Sequence, residues 1–224
     1  MFSFEGFVRL NAFLTGFYRI AYLNILWVAV TLAGLVIAGI GPASYALSAY
    51  IDRWFRLGET PPITRAFVRH ARAALPRASA LGAILTVATG IVVANIFWQT
   101  SWILQFANVA ALGVLALAWG FGFSAMAATD VGGVARPVAA GLLVAVGSLH
   151  WTILASTAAA AACWALASFA PFLLPFFGVG IPAAAVGFVT RIAYRQIGTD
   201  AEPSPSLSPA LRNDALASSK GTAR

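Results

Sequence analysis

Charge is what this sequence has least of. Asp, Glu, Lys and Arg make up 9% of 224 residues, against about a quarter in a soluble domain. That is too few to cover a water-soluble globule. Cysteine is nearly absent too: Cys163 alone excludes an intramolecular disulfide and any cysteine-based metal cluster. Also missing are a Gly-Lys-Ser/Thr phosphate loop, a His-Glu-x-x-His zinc helix and a Gly-x-Ser-x-Gly nucleophile turn. No acid, base or metal set converges, so the expectation is a protein that is not an enzyme and needs no metal or cofactor. What the chain does have is 60% hydrophobic residues and a mean hydropathy of +0.85. These make it an all-α integral membrane protein, a polytopic helix bundle. The net charge of +7 then reflects topology and anionic lipid head groups rather than nucleic acid.

Three long stretches carry no charge: Ile20 to Ile51, Ala78 to Thr129 and Pro137 to Thr190. A spanning helix needs ~20 apolar residues, so each stretch can leave the membrane surface and return. The clusters between them hold at least as many basic as acidic residues, which places them on the cytoplasmic side. The expectation is six transmembrane helices in three hairpins, with both termini in the cytoplasm of a bacterial cell, as a multi-pass protein of the cytoplasmic membrane. The first stretch is tight for two spans. Gly39-Ile40-Gly41-Pro42 is read as its turn, with Pro42 in the first turn of the next helix; the alternative is a re-entrant half-helix after Pro42. The second hairpin is read as 78–98 ascending and 102–127 descending, with Trp98 and Trp102 flanking the turn at the outer interface. The third is read as ascending from Pro137 and turning near Phe169 to Leu174. Met1 to Val8 has no basic stretch of the kind that opens a cleavable signal, so the first apolar run is expected to remain as an anchor.

Two amphipathic pieces flank the first hairpin. Phe2, Phe7, Leu10, Phe13 and Phe17 recur at helical spacing, with Glu5 and Arg9 on another face. Residues 1–17 are therefore read as an interfacial helix preceding a transmembrane domain over 18–197, serving as a membrane anchor or as a docking surface. A second such helix, 61–77, follows Thr60-Pro61-Pro62, with Phe67, Ala71, Ala74 and Leu75 on one side. Arg65, Arg69 and Arg72 occupy another side, and Arg77 follows. These four are the candidate contact for lipid phosphates or for an acidic patch on a cytoplasmic protein. From Gly198 the prolines and serines cannot build a core, so 198–224 is read as a disordered cytoplasmic tail.

Inside the apolar stretches ionisable groups are scarce. His150 falls about 13 residues beyond Pro137, near mid-bilayer at ~1.5 Å per residue. It is either a functional site or a neutral side chain bonded to a neighbouring helix. Asn95, Gln99, Gln105 and Asn108 gather at the outer end of the second hairpin. With His150 they form a candidate polar cavity for a sugar or another polar solute, or else they cap and join two helices. Asn24, Thr31, Ser44, Tyr45 and Ser48 pose the same choice in the first hairpin. Small residues four apart, such as Gly141 with Ala145 and Ala155 with Ala159 and Cys163, allow close helix approach.

Asn24-Ile-Leu-Trp27, the Gly39-Ile-Gly-Pro-Ala43 break, Tyr50-Ile-Asp-Arg-Trp-Phe-Arg-Leu-Gly-Glu59 and Ala66-Phe-Val-Arg-His-Ala-Arg-Ala73 together resemble the YesL-like family of bacterial membrane proteins. The resemblance extends to about Ile197 and is strongest over the first 80 or so residues. The family has no established biochemical activity. The resemblance implies a setting beside ATP-driven oligosaccharide importers, and hence a non-catalytic accessory or regulatory partner of a carbohydrate ABC importer. The chain lacks the Glu-Ala-Ala-x-x-x-Gly loop by which importer permeases usually engage their ATPase. The expected partners are therefore the lipid bilayer and the importer's permease subunits, with no nucleic acid. The alternative is a self-sufficient small-solute permease.

Overall fold

The computed structural model describes residues 4–129 and 133–201. Among them every regular element is helical. Asp130 and most of the expected tail, residues 202–224, lie outside the described residues.

The first helix, α1, runs unbroken from Phe4 to Ala33, so the expected interfacial piece and the span from Tyr18 share one continuous helix. At ~1.5 Å per residue its 30 residues reach about 45 Å, longer than the ~30 Å hydrocarbon layer. Phe7, Phe13 and Phe17 are exposed along its N-terminal half.

The turn after α1 corrects the expectation placed at Gly39 to Pro42. It lies at 34–36: the Leu35 and Val36 amides bond back to the Leu32 and Thr31 carbonyls, the doubly bonded ending of a helix C-terminus. Leu35 and Val36 both take positive φ, 54° and 65°, and the Ile37 amide closes a three-residue turn onto the Leu35 carbonyl at 2.8 Å. Gly39, Gly41 and Pro42 instead lie inside the next helix, α2, Ile37–Asp52. The reason is tertiary. A side chain at Gly39 would strike the Val30 and Thr31 carbonyls, and one at Gly41 would strike the Ala78 carbonyl, so glycine serves close approach there. Pro42 has no N–H for the Ala38 carbonyl; the Ser79 hydroxyl donates to that carbonyl instead, at 2.9 Å.

α2 is the centre of the fold, packed by α1, by α3 (Ile63–Ala73), by α4 (Leu75–Trp98) and by α5 (Trp102–Ala128). It continues into a wider helical turn over Arg53–Leu57, capped by Gly58 in the left-handed conformation. Leu23, Leu47, Tyr50, Ile51 and Phe67 form the core on this side. Gln99-Thr100-Ser101 joins α4 to α5, with Trp98 and Trp102 exposed on either side. A second core cluster, with Leu81, Leu85, Ala118 and Phe123, lies between these two helices.

Beyond α5 the chain forms α6 (Ala135–Gly147), α7 (Leu149–Phe169), a short 3-10 turn and α8 (Leu174–Phe177), and then α9 (Gly180–Ala201). α6 lies on α5, with Gly141 against the backbone of Phe121 and Gly122. The helix breaks at Ser148, where the Thr152 hydroxyl reaches back to the Ala145 carbonyl at 2.9 Å. The segment ending in α8 is bent by 44° from the start of α9.

Among the described residues four helices are long and apolar enough to cross a membrane (Gly6–Ala33, Leu75–Trp98, Trp102–Ala128, Leu149–Phe169), or five if the bent pair is one span. Length and apolarity thus carry four or five of the six spans expected. α6 has 13 residues, about 20 Å, short of the hydrocarbon thickness, whereas α2 with the turn that continues it runs helical from Ile37 to Leu57.

Candidate functional site

The cationic helix α3 is fastened before it is displayed. Ala66, Phe67 and Ala71 are buried in the core beside Tyr50, whose hydroxyl donates to the Pro61 carbonyl at 3.1 Å. Tyr22 and Thr64 hydroxyls bond at 2.9 Å, tying α3 also to α1. The opposite face carries Arg65, Arg69 and Arg72, exposed along an open groove with Thr64, Val68 and Ala73. Arg77, at the start of α4, is exposed as well.

Two carboxylates stand nearby, and both are already engaged. Asp52, only 5% exposed, receives a two-pronged contact from Arg56 at 2.8 Å for each bond. Glu59 pairs with Arg53 at 3.2 Å, and Arg19 lies over the Trp54 ring at 5.4 Å. Among the described residues Arg65, Arg69, Arg72 and Arg77 therefore have no ion-pair partner. Between them His70 has its Nε2 buried without a hydrogen-bond partner among the described residues. Burial holds its pKa below the ordinary value, and the Arg53 and Arg69 charges add to the effect.

A second feature lies in the interior, where α2, α5, α7 and the first part of α9 enclose a cavity of about 470 Å³. Leu47, Ile51, Phe121, Phe123, Val186 and Val189 give it apolar walls, with hydroxyls from Ser44, Ser48, Ser124 and Ser156 and the thiol of Cys163. It exists because α7 presents Ala155, Ser156, Ala159, Ala160 and Cys163 on one face, all too short to reach across.

The residues expected to form a polar cavity are not brought together there. Asn95 and Gln105 are exposed and Gln99 and Asn108 partly so; the Gln105 amide donates to the Gln99 carbonyl at 2.8 Å, across the α4–α5 connection. His150 is exposed in the first turn of α7, its ring 5.3 Å from that of Trp151. None of the five lines the interior cavity.

Asn24 and Ser44 do join helices. The buried Asn24 side chain donates to the Pro175 carbonyl and accepts from the Val179 and Gly180 amides at 3.0 and 2.8 Å. It thereby satisfies backbone groups freed by the break between α8 and α9, as an apolar surrounding requires. Ser44 Oγ accepts the indole N–H groups of Trp27 and Trp119 at 3.1 and 3.3 Å.

Residues 20–96 match the family described as "Protein of unknown function, DUF624". Over 79 residues the chain is 35% identical to the uncharacterized protein YesL of Bacillus subtilis (strain 168), covering 35% of this chain and 38% of that protein. It is 34% identical over 79 residues to the uncharacterized protein YteU of the same organism, covering 35% and 36%. The chain thus matches little more than a third of the length of these curated relatives. No solved structure matches it. The matched segment is the one that holds Asn24, the 34–36 turn, α2, α3 and most of α4, and it is over this third of the chain that the protein is similar to the DUF624 family and to YesL and YteU, a family of unknown function.

Proposed function

We propose that this protein is a non-catalytic accessory subunit of the bacterial cytoplasmic membrane, which binds and assists a carbohydrate ABC importer through the cytoplasmic face that carries α3. The observation behind this reading is the unneutralised arginine face. Its helix is pinned by buried Ala66, Phe67 and Ala71, so Arg65, Arg69 and Arg72 stand at fixed spacing while the nearby carboxylates are occupied elsewhere. A cationic row on a helix whose backbone is already pinned favours an acidic surface, because the helix itself need not be ordered on binding. The apolar exteriors of α4 and α5, including Ile84, Val87, Ile91, Phe106 and Val109, provide the lipid- or subunit-facing sides. The amides and His150 that a solitary permease would use stay outside the interior cavity, which favours the accessory reading over that alternative.

The test is copurification in mild detergent from a host that uses oligosaccharides. Stoichiometric recovery of importer permeases, lost in Arg69→Glu with Arg72→Glu while the variant stays monodisperse, is the expected result. Recovery of the protein alone, with solute flux in liposomes that hold nothing else, would replace the proposal with the permease reading.

A further inference from the structure

The interior cavity has a chemistry of its own. Its volume, about 470 Å³, falls in the roughly 300–1,000 Å³ range of small-molecule sites. Left empty it would deprive its walls of dispersion contacts, and water is a poor occupant where few polar partners are offered. Hydrocarbon fits the walls of Leu47, Ile51, Phe121 and Val186. The polar groups are few and specific. Ser44 Oγ is already taken by two indoles. Ser124 is only 3% exposed, lines the cavity, and has no hydrogen-bond partner for its hydroxyl among the described residues. That hydroxyl opens onto the cavity, where a bound polar atom can pair with it. Exposed Ser156 and Ala160 of α7 also line the cavity and give it a mouth on the side of that helix.

We propose that the cavity is a binding site for a hydrocarbon chain bearing one oxygen function, hydroxyl or carbonyl, whose oxygen pairs with Ser124. Two sources carry that chemistry: an acyl chain of a bilayer lipid entering past Ser156 and Ala160, and a free amphiphile of about ten carbons.

The test uses full-length protein in lipid nanodiscs and two photoactivatable probes, a diazirine-bearing decanol and a phospholipid with the diazirine in its acyl chain, with cross-links mapped by mass spectrometry. Saturable labelling of residues 155–163 and 182–189 is expected, competed by decanol about fivefold better than by decane. Labelling by the phospholipid identifies the lipid as source, and labelling by decanol alone identifies the free amphiphile. Ala159→Phe should abolish cavity labelling. Ser124→Ala, a milder change, should erase the preference for decanol over decane. Labelling of these residues no stronger than that of exposed Ile91 and Phe106, or a decanol preference unchanged in Ser124→Ala, would overturn the proposal.

Discussion

α2 has sixteen residues and eleven of them are buried, whereas of the twenty-one in α7 only Thr152 and Ala159 are. Both helices are apolar and rich in small side chains. In α2 the small residues meet backbone: Gly39 lies against Thr31, and Gly41 against Ala78 and Gly82. In α7 the alanines face open volume. Small residues permit close approach but do not compel it. The partner must also be able to come near, and α4 does so because Gly82 meets Gly41 and Ser79 supplies the hydrogen bond that Pro42 cannot.

The largest break in this comparison should come at the α2–α4 crossing. Gly41→Leu must displace the Ala78 backbone and is expected to abolish a folded, monodisperse bundle, as read by size exclusion. Gly90→Leu, on α4 but with nothing within 4 Å of its Cβ position, should leave the profile unchanged. Next comes Asn24→Ala, which strands two amides and a carbonyl at the α8–α9 break. A loss of about 2 kcal/mol is expected from three such bonds in an apolar setting, measured as a lower melting temperature.

A smaller contrast separates core from cavity. Ala46→Leu overfills a position with no exposure and should cost about 1–3 kcal/mol, while Ala160→Leu should shift stability by less than about 0.5 kcal/mol, because it grows into the cavity. The smallest effect is electrostatic. His70 has a folded pKa below its unfolded value, so the unfolded chain binds the extra proton first. Stability attached to His70 is then full above pH ~6.5 and falls as pH drops from there through the folded pKa. His70→Gln should flatten that part of the melting-temperature profile.

What the sequence made legible is uneven, for physical reasons. Charge-free stretches and paired tryptophans located the α4–α5 connection within a few residues, because interfacial preference is a property of single side chains. α3 was legible because its arginine and apolar positions follow helical spacing up to Ala73. The turn at 34–36 was not, since Leu35 and Val36 carry no mark of positive φ, while the conspicuous Gly39, Gly41 and Pro42 answer to neighbours distant in the chain. The break at Ser148 likewise lacks a proline. The cavity was missed because it arises from what α7 does not fill; Ala155, Ala159 and Cys163 stood out as a close-packing stripe, and their shortness leaves space instead. The cationic row was legible as residues, but its isolation from carboxylates depends on the Asp52–Arg56 and Arg53–Glu59 pairs.

The contrast between α2 and α7 is tested most directly by thiol accessibility in nanodiscs, on a Cys163→Ala background, with a membrane-permeant maleimide. Ala46→Cys should stay unmodified until the protein is unfolded, and Ala160→Cys should react in the native state. Equal native reactivity at the two positions would contradict a buried α2 and remove one wall of the cavity with it.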